Sequence, residues 1–313
     1  MTVQRVIFAS NVNRFSGAGH IRRLLQIAKV WPIQIEKYFF GELNIPWVSE
    51  MTTKVLHKID YNGDRFGPHD LVILDSYDQN FCLNVRREFP VSQILQIADR
   101  YSFLLPDSQI IFADLPFAYL DASVSPRVLA HGINYLPTRR LRQNSFEFKR
   151  QAIRVLVTTG GLVNETIYSQ LVDELSKEDY RDIRFEFIGM FDKSKPIPPN
   201  LNFNAFGSSF DSVAGSCDTA ISTSGTTMWD LLANEIVIGI TASVENQRAN
   251  FDYAIRNGQA LKIFNPDTLE LNEGALRSLL FDSNIRSSLY KEISRKYDFD
   301  GAKRVVDVLL KSN

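Results

Sequence analysis

The sequence has little of three features that would each assign it to a class of protein. It has only two cysteines, Cys82 and Cys217, far apart and outside any CxxC spacing. This argues against a zinc knuckle or a secreted disulfide framework, and favours the reducing cytoplasm. Its 35 Lys and Arg nearly cancel its 36 Asp and Glu, so no nucleic-acid partner is expected. Without a signal-peptide pattern or an apolar run of about 18 residues, neither export nor a transmembrane segment is predicted.

The chain does have short apolar runs that alternate with longer helical patterns, and its 313 residues are enough for two domains. The runs are apolar at consecutive positions, which is typical of parallel strands covered by helices on both faces. They lie at 3–10, 71–77, 109–114, 153–161, 183–189, 218–223, 236–241 and 260–264. A polar, Arg-rich stretch at 137–151 has no strand pattern. We therefore predict an α/β protein with domains 1–140 and 141–313, whose last helix is a candidate to pack back on the first domain.

Two doubly wound domains would place the carboxyl ends of both sheets across one cleft, where ligands of open α/β sheets bind. The loops after the strands are therefore candidate sites. In "SGAGH", residues 16–20, Gly17 and Gly19 would let a ligand approach the backbone, and a helix is predicted to begin at or just after His20. Its free N–H groups suit an anionic group or a polarised water. The alternative is a tight turn with His20 as a surface or capping residue, because the full GxGxxG spacing is missing.

Two further loops follow predicted strands in the same way. In "DSYD", Asp75 and Tyr77 would emerge at the cleft, although Asp75 as a helix cap and Tyr77 as a packing residue is an equal alternative. In "TTGG", Gly160 and Gly161 permit close approach of a ligand to the backbone.

The stretch 220–258 holds two strand–loop–helix units in succession. The first loop is a hydroxyl-rich turn that suits phosphate oxygens: Ser224, Gly225, Thr226 and Thr227. Thr227 and Asp230 also have the spacing of a capping box, in which Asp230 would only close the helix start. The second loop sets Glu245, Asn246 and Gln247 at another helix N-terminus. Asn246 there could orient a sugar or a water, or cap the helix.

Taken in order, the stretches "SGAGHIRRLLQIA", "DSYD", "VLVTTGG", "ISTSGTTMWDLL" and "ENQ" resemble a known family over most of the chain. The family is the UDP-2,4-diacetamido-2,4,6-trideoxy-β-L-altropyranose hydrolases of pseudaminic acid biosynthesis, a bacterial surface-glycan pathway. It is related to the GT-B glycosyltransferases, including the peptidoglycan N-acetylglucosaminyl transferase. The resemblance implies a GT-B fold of two Rossmann-like domains facing one cleft, with UDP held mainly by the second and with no metal or other cofactor.

The resemblance also implies roles for individual residues. His20 matches the histidine that activates a water for attack at the anomeric carbon, which expels UDP, and imidazole can accept a proton near neutral pH. Tyr77 and Asn246 match residues that line the sugar site, and Asp230 matches an acidic residue, usually glutamate, near the ribose. The predicted contacts to the UDP-sugar are Gly17, Gly19, Arg22, Asp75, Gly160, Gly161, Ser224, Gly225, Thr226, Thr227, Asp230, Glu245 and Gln247.

Three departures from the family pattern concern the sugar more than the nucleotide. Leu162 and Val163 stand where Ser-Asp is frequent, Asp114 is unpaired where many members have two aspartates, and Asp230 is shorter than glutamate. One alternative is a GT-B glycosyltransferase with a nucleotide-sugar donor, in which His20 deprotonates an acceptor hydroxyl and contact with a membrane surface stays open. Another is a nucleotide-sugar-binding protein without catalysis.

Overall fold

The computed structural model describes residues 3–12, 18–59, 66–99, 102–113, 127–142, 148–161, 163–189, 197–207 and 210–312. The chain divides into two compact units. The N-terminal unit is Met1–Thr138 with Asp298–Asn313, and the C-terminal unit is Arg139–Tyr297. The helices are α1 Gly19–Val30, α2 Pro46–Thr53, α3 Gln79–Glu88, α4 Glu165–Leu175, α5 Phe210–Gly215, α6 Thr226–Ala233, α7 Arg248–Arg256, α8 Glu273–Phe281, α9 Ser283–Ile293 and α10 Gly301–Ser312.

The N-terminal unit is built on a seven-stranded sheet. Its strands are β1 Arg5–Ala9, β2 Glu36–Phe40, β3 His57–Lys58, β4 Asp70–Leu74, β5 Gln93–Ala98, β6 Gln109–Phe112 and β7 Val128–His131. They pair in parallel in the order β3-β2-β1-β4-β5-β6-β7. Residues 71–74 of β4 are buried, as the apolar run predicts for a strand covered on both faces. The order reverses direction between β1 and β4, which is where ligands of such sheets bind.

Helix α1 lies on one side of this sheet and α3 on the other. The apolar stripe of α1 is buried as the spacing predicts, and its residues Ile21, Leu24 and Ala28 are inaccessible to solvent. The helix begins at Gly19, one residue earlier than predicted, with Ala18 as the N-cap. On the α3 side, Cys82 and Val85 pack against side chains of β1 and β4.

The last helix, α10, belongs to the N-terminal unit, where it packs against α1 and against a 3₁₀ turn at Ile133–Tyr135. The hydroxyl of Thr138 donates to the carbonyl of Asp298 at 2.8 Å, which joins the two chain segments of this unit. Gly301 is required at the start of the helix, since a Cβ there would lie 2.0 Å from the carbonyl oxygen of Leu136.

The C-terminal unit is built on a six-stranded parallel sheet. Its strands are β8 Arg154–Thr158, β9 Arg184–Ile188, β10 Leu201–Asn204, β11 Thr219–Thr223, β12 Val237–Thr241 and β13 Ala260–Lys262. The order β10-β9-β8-β11-β12-β13 is that of a Rossmann fold, with the reversal between β8 and β11. Both units are thus Rossmann-like, as predicted. Within the described ranges, no helix combines the length and apolar character needed to cross a bilayer.

Candidate active site

The reversal point of the N-terminal sheet brings a histidine and a carboxylate together. His20 lies on α1, which follows β1, and Asp75 follows the adjacent β4. The Nδ1 atom of His20 is 2.5 Å from Oδ1 of Asp75, and the residues are 5% and 1% exposed. A carboxylate only accepts, so we assign the proton to Nδ1. This tautomer leaves the lone pair on Nε2, which receives no hydrogen bond from the described residues.

A buried arginine completes this pair. Arg23 donates to both oxygens of Asp75, from Nε at 2.9 Å and from Nη2 at 2.8 Å. Burial raises the pKa of Asp75, but electrostatic attraction and hydrogen bonds from Arg23 and His20 outweigh it and hold this pKa below its ordinary value. Asp75 is therefore ionised at neutral pH and orients the imidazole. The helical spacing places Arg23 on a polar face of α1, whereas the structure buries it.

Tyr77 and Asp99 support the histidine from the other side. The ring of Tyr77 meets the imidazole edge to face, with centroids 4.3 Å apart and an interplanar angle of 83°. Its hydroxyl donates to the carboxylate of Asp99, which follows β5. Burial, and then the charge of Asp99, raise the pKa of Tyr77, so the phenol stays protonated. Tyr77 accordingly holds the ring of His20 in place and does not exchange protons near neutral pH.

Two alternatives considered for these residues are wrong. His20 is neither a surface residue nor a cap, because it is buried and the N-cap of α1 is Ala18. Asp75 does not cap a helix either, because the N-cap of α3 is Asp78, whose side chain accepts from the N–H of Phe81.

The remaining residues predicted in this unit are placed as follows. Gly19 is the first residue of α1. The guanidinium of Arg22 lies over the ring of Trp47, 5.1 Å from its centroid. Gly17 and Asp114 lie outside the described residues. A contact of Gly19 or Arg22 with substrate stays a prediction.

The reversal point of the C-terminal sheet collects the other predicted residues. Gly160 follows β8 with φ +90°, a conformation that favours glycine, and Gly161 follows it. A Cβ on Gly160 would lie 3.9 Å from Oγ1 of Thr223, the last residue of β11. The glycine turn after β8 and the hydroxyl-rich turn after β11 are therefore neighbours.

Within the hydroxyl-rich turn, Gly225 is the N-cap of α6, so Thr226 and Thr227 belong to the helix. No side chain caps this helix, so the predicted capping box of Thr227 and Asp230 does not form. The first turn of α6, with Thr226 and Thr227, presents N–H groups without a side-chain partner. Ser224 differs from its prediction as a phosphate ligand. It is fully buried and its hydroxyl faces the backbone carbonyls of Thr241 and Gln247, at 3.1 and 3.0 Å.

Asp230 is engaged with a residue that the sequence did not indicate. Its carboxylate accepts from the backbone N–H of Arg139 and from Nε of the same residue, both at 2.8 Å. Arg139 also donates to Asp211 at 2.7 Å. Asp230 therefore ties the start of the C-terminal unit to α6, and its contact with a ribose stays a prediction.

The loop after β12 meets the hydroxyl-rich turn. It forms a 3₁₀ turn at Glu245–Gln247 before α7, in which Glu245 is exposed. The amide oxygen of Gln247 accepts from the N–H and hydroxyl of Ser243, and its Nε2 is 3.5 Å from where a Cβ on Gly225 would stand. Asn246 does not cap α7. Its Oδ1 is buried and, within the described chain, accepts no hydrogen bond, so a donor from a ligand would satisfy it.

In the part of the chain that the structure describes, no three His, Cys, Asp or Glu side chains are grouped so that they could hold a metal ion.

Comparison with known proteins shows the fold. No protein family model and no curated protein matches the sequence. The glycotransferase of kitacinnamycin is 13% identical over 98% of both chains, with a TM-score of 0.66. Staphylococcus aureus MnaA, solved with UDP, is 10% identical over 99% of this chain and 96% of its own (TM-score 0.66). MurG of Acinetobacter baumannii is 12% identical over 98% of this chain and 99% of its own, with a TM-score of 0.56. The chain therefore has the GT-B fold predicted from its sequence, with two Rossmann-like units.

Proposed function

We propose that this chain is an enzyme that acts on a nucleotide sugar, most simply UDP-linked, and moves the sugar to a hydroxyl group. The observation that carries the proposal is the buried His20–Asp75 pair, whose geometry leaves Nε2 of the imidazole as a base. A base in this position takes the proton of the hydroxyl as its oxygen attacks the anomeric carbon, and ionised Asp75 stabilises the imidazolium that forms.

The C-terminal unit has the groups that a departing diphosphate needs. As the bond between the anomeric carbon and the phosphate oxygen breaks, its electron pair leaves with the nucleotide. The uncapped N–H groups of α6 and the hydroxyls of Thr226 and Thr227 would stabilise this charge. The glycine turn after β8 lies beside them and allows the backbone to approach the ligand.

The source of the hydroxyl separates two candidate reactions. The kitacinnamycin enzyme is a glycosyltransferase by name, and this favours transfer to an acceptor. Hydrolysis is favoured by the small exposure of His20, 5%, and by the ring of Tyr77 against it, because a crowded base selects a small nucleophile such as water. The motif resemblance to the pseudaminic acid hydrolases points the same way. We therefore propose transfer to an acceptor as the first candidate reaction and hydrolysis as the second. In either case we propose that the protein acts in the cytoplasm.

The test is to incubate the purified protein with UDP-, GDP- and CMP-sugars and to follow free nucleotide, with and without sugar acceptors. Release that depends on an acceptor supports transfer, and release with water alone supports hydrolysis. If nucleotide sugars bind but no free nucleotide forms under any condition, the protein is a binding protein and the proposal is wrong.

Gly225→Ala is expected to weaken UDP binding about tenfold without loss of stability, because the methyl group would stand where a phosphate approaches the start of α6. The backbone of Gly225 is extended at φ −83°, and the new Cβ would meet only Nε2 of Gln247, at 3.5 Å. Titration calorimetry with UDP and thermal unfolding measure the two effects.

The matched control is Gly274→Ala, in the first turn of α8, where the new Cβ would also lie 3.5 Å from a side-chain amide atom, Oδ1 of Asn272. It should leave UDP binding unchanged. Equal affinity of wild type and Gly225→Ala would contradict a diphosphate site at α6.

A further inference from the structure

The N-terminal unit has a polar cavity that the proposed chemistry does not use. It has a volume of about 500 Å³ and lies at the carboxyl ends of β1, β2 and β4. Asn11 follows β1, Glu42 and Asn44 follow β2, and Asp78 and Asn84 come from the start of α3 and from the helix itself. None of the residues of the His20 cluster, which are His20, Arg23, Asp75, Tyr77 and Asp99, is among the described residues that line it.

Alternate residues of the segment 75–78 contact His20 and the lining of the cavity. Asp75 and Tyr77 contact His20, whereas the residue between them, Ser76, donates to Oδ1 of Asn11 at 2.9 Å. Asp78 lines the cavity itself. A ligand in the cavity would therefore contact other residues of this segment than the imidazole does.

Among the described residues that line the cavity, the polar groups are carboxylates and amides, and none of these residues is a lysine or an arginine. Its four amides belong to Asn11, Asn44, Asn80 and Asn84. Two of them orient the acids, since Nδ2 of Asn11 donates to Asp78 at 3.0 Å and Nδ2 of Asn44 donates to Glu42 at 3.2 Å. The lining therefore repels anions, while its donors and acceptors together match hydroxyl groups, which both donate and accept.

An aromatic ring and a rigid floor complete the cavity. Phe81 is half-buried and packs on Phe40, with ring centroids 5.9 Å apart. Its remaining surface offers an apolar wall for the C–H face of a sugar ring. Gly41 has φ +135°, and a Cβ on it would lie 1.9 Å from the carbonyl oxygen of Ser10. The loop after β2 is thus held directly against the end of β1, so the floor is preformed.

We propose that this cavity is a carbohydrate subsite that binds an uncharged sugar ring and rejects anionic sugars. Amides and oriented carboxylates bind the ring hydroxyls, and Phe81 packs against the apolar face. The inference does not depend on the proposed function, because binding is measured without turnover.

The test measures the affinity of the protein for N-acetyl-D-glucosamine and for D-glucuronate. Each sugar is titrated, and its binding is monitored by saturation-transfer NMR. Wild type is expected to bind N-acetyl-D-glucosamine and to bind glucuronate at least about tenfold more weakly, because Glu42 and Asp78 repel its carboxylate. The double variant Asn80→Ala/Asn84→Ala is expected to bind N-acetyl-D-glucosamine at least about fivefold more weakly than wild type. Alanine is the best helix former, so α3 should keep its fold.

Leu83→Ala, an exposed position on the same helix outside the cavity, is the matched control and should bind as wild type. His20→Ala should also bind as wild type. The proposal is overturned if N-acetyl-D-glucosamine does not bind, if glucuronate binds equally well, or if the asparagine variant keeps the wild-type affinity. Loss of binding in His20→Ala would place the sugar in the His20 cluster and would overturn it as well.

Discussion

Replacing His20 by alanine is expected to lower the rate of nucleotide release by about 10²- to 10⁴-fold, the contribution typical of a positioned general base. The imidazole is the group whose Nε2 faces no partner among the described residues, and Asp75 fixes its tautomer. The groups proposed for the diphosphate lie in the C-terminal unit, so UDP affinity should not change. Initial rates of release and titration calorimetry with UDP measure the two quantities.

His57→Ala is the control for this variant, because His57 is an exposed histidine on β3 of the same unit. It should keep wild-type rates. The rate of nucleotide release by Asp75→Asn should lie between those of His20→Ala and His57→Ala, since an amide keeps the shape of the carboxylate but no longer stabilises the imidazolium. Unchanged release by His20→Ala would show that another group takes the proton.

Arg23→Gln is expected to lower the free energy of unfolding by about 3–5 kcal/mol, the cost of breaking a buried ion pair on one side. Arg23 and Asp75 are 4% and 1% exposed and share two hydrogen bonds. Without the guanidinium, the carboxylate stays buried with His20 as its remaining partner. Urea unfolding of wild type and variant at pH 7 measures the difference.

This difference should depend on pH in a definite direction. The pKa of Asp75 in the folded state is held below its ordinary value. The stabilisation by its charge is therefore present above the unfolded-state pKa of about 3.9 and is lost as the pH falls through the lower, folded value. The gap between wild type and Arg23→Gln should narrow below about pH 4. Lys29→Gln, an exposed change on the same helix, should cost little at any pH. A gap that is constant down to pH 2, or absent at pH 7, would show that the ion pair does not stabilise the fold.

Much of the fold could be predicted because parallel strands leave a strong local pattern. Residues 71–74 of β4 and all of β11 are buried, and the sequence there is apolar or small at consecutive positions. The same rule located the loops, since the chain that follows each strand emerges at one edge of the sheet. His20, Asp75 and Tyr77 were singled out in this way, and the structure brings them together.

The partners of these residues could not be predicted, because ion pairs within a fold have no fixed spacing in sequence. Arg23 looks like an ordinary polar residue of α1, and its buried partner Asp75, 52 positions away, follows the adjacent strand β4. Asp230 fits a local capping box with Thr227, yet its partner is Arg139, 91 positions away. The role of Ser224 was misjudged for the same reason, since the carbonyls that face it belong to other elements.

Local sequence patterns were enough to predict the α/β class, two doubly wound units and the loops at the ends of their strands. These follow from periodicity and from glycine positions, which act over a few neighbouring residues. The tautomer assigned to His20 and the charge retained by Asp75 depend instead on the folded arrangement. Those outcomes depend on burial and on charges brought within 3 Å by residues distant in the chain, and electrostatic effects of this kind are set by spatial position, not by order along the sequence.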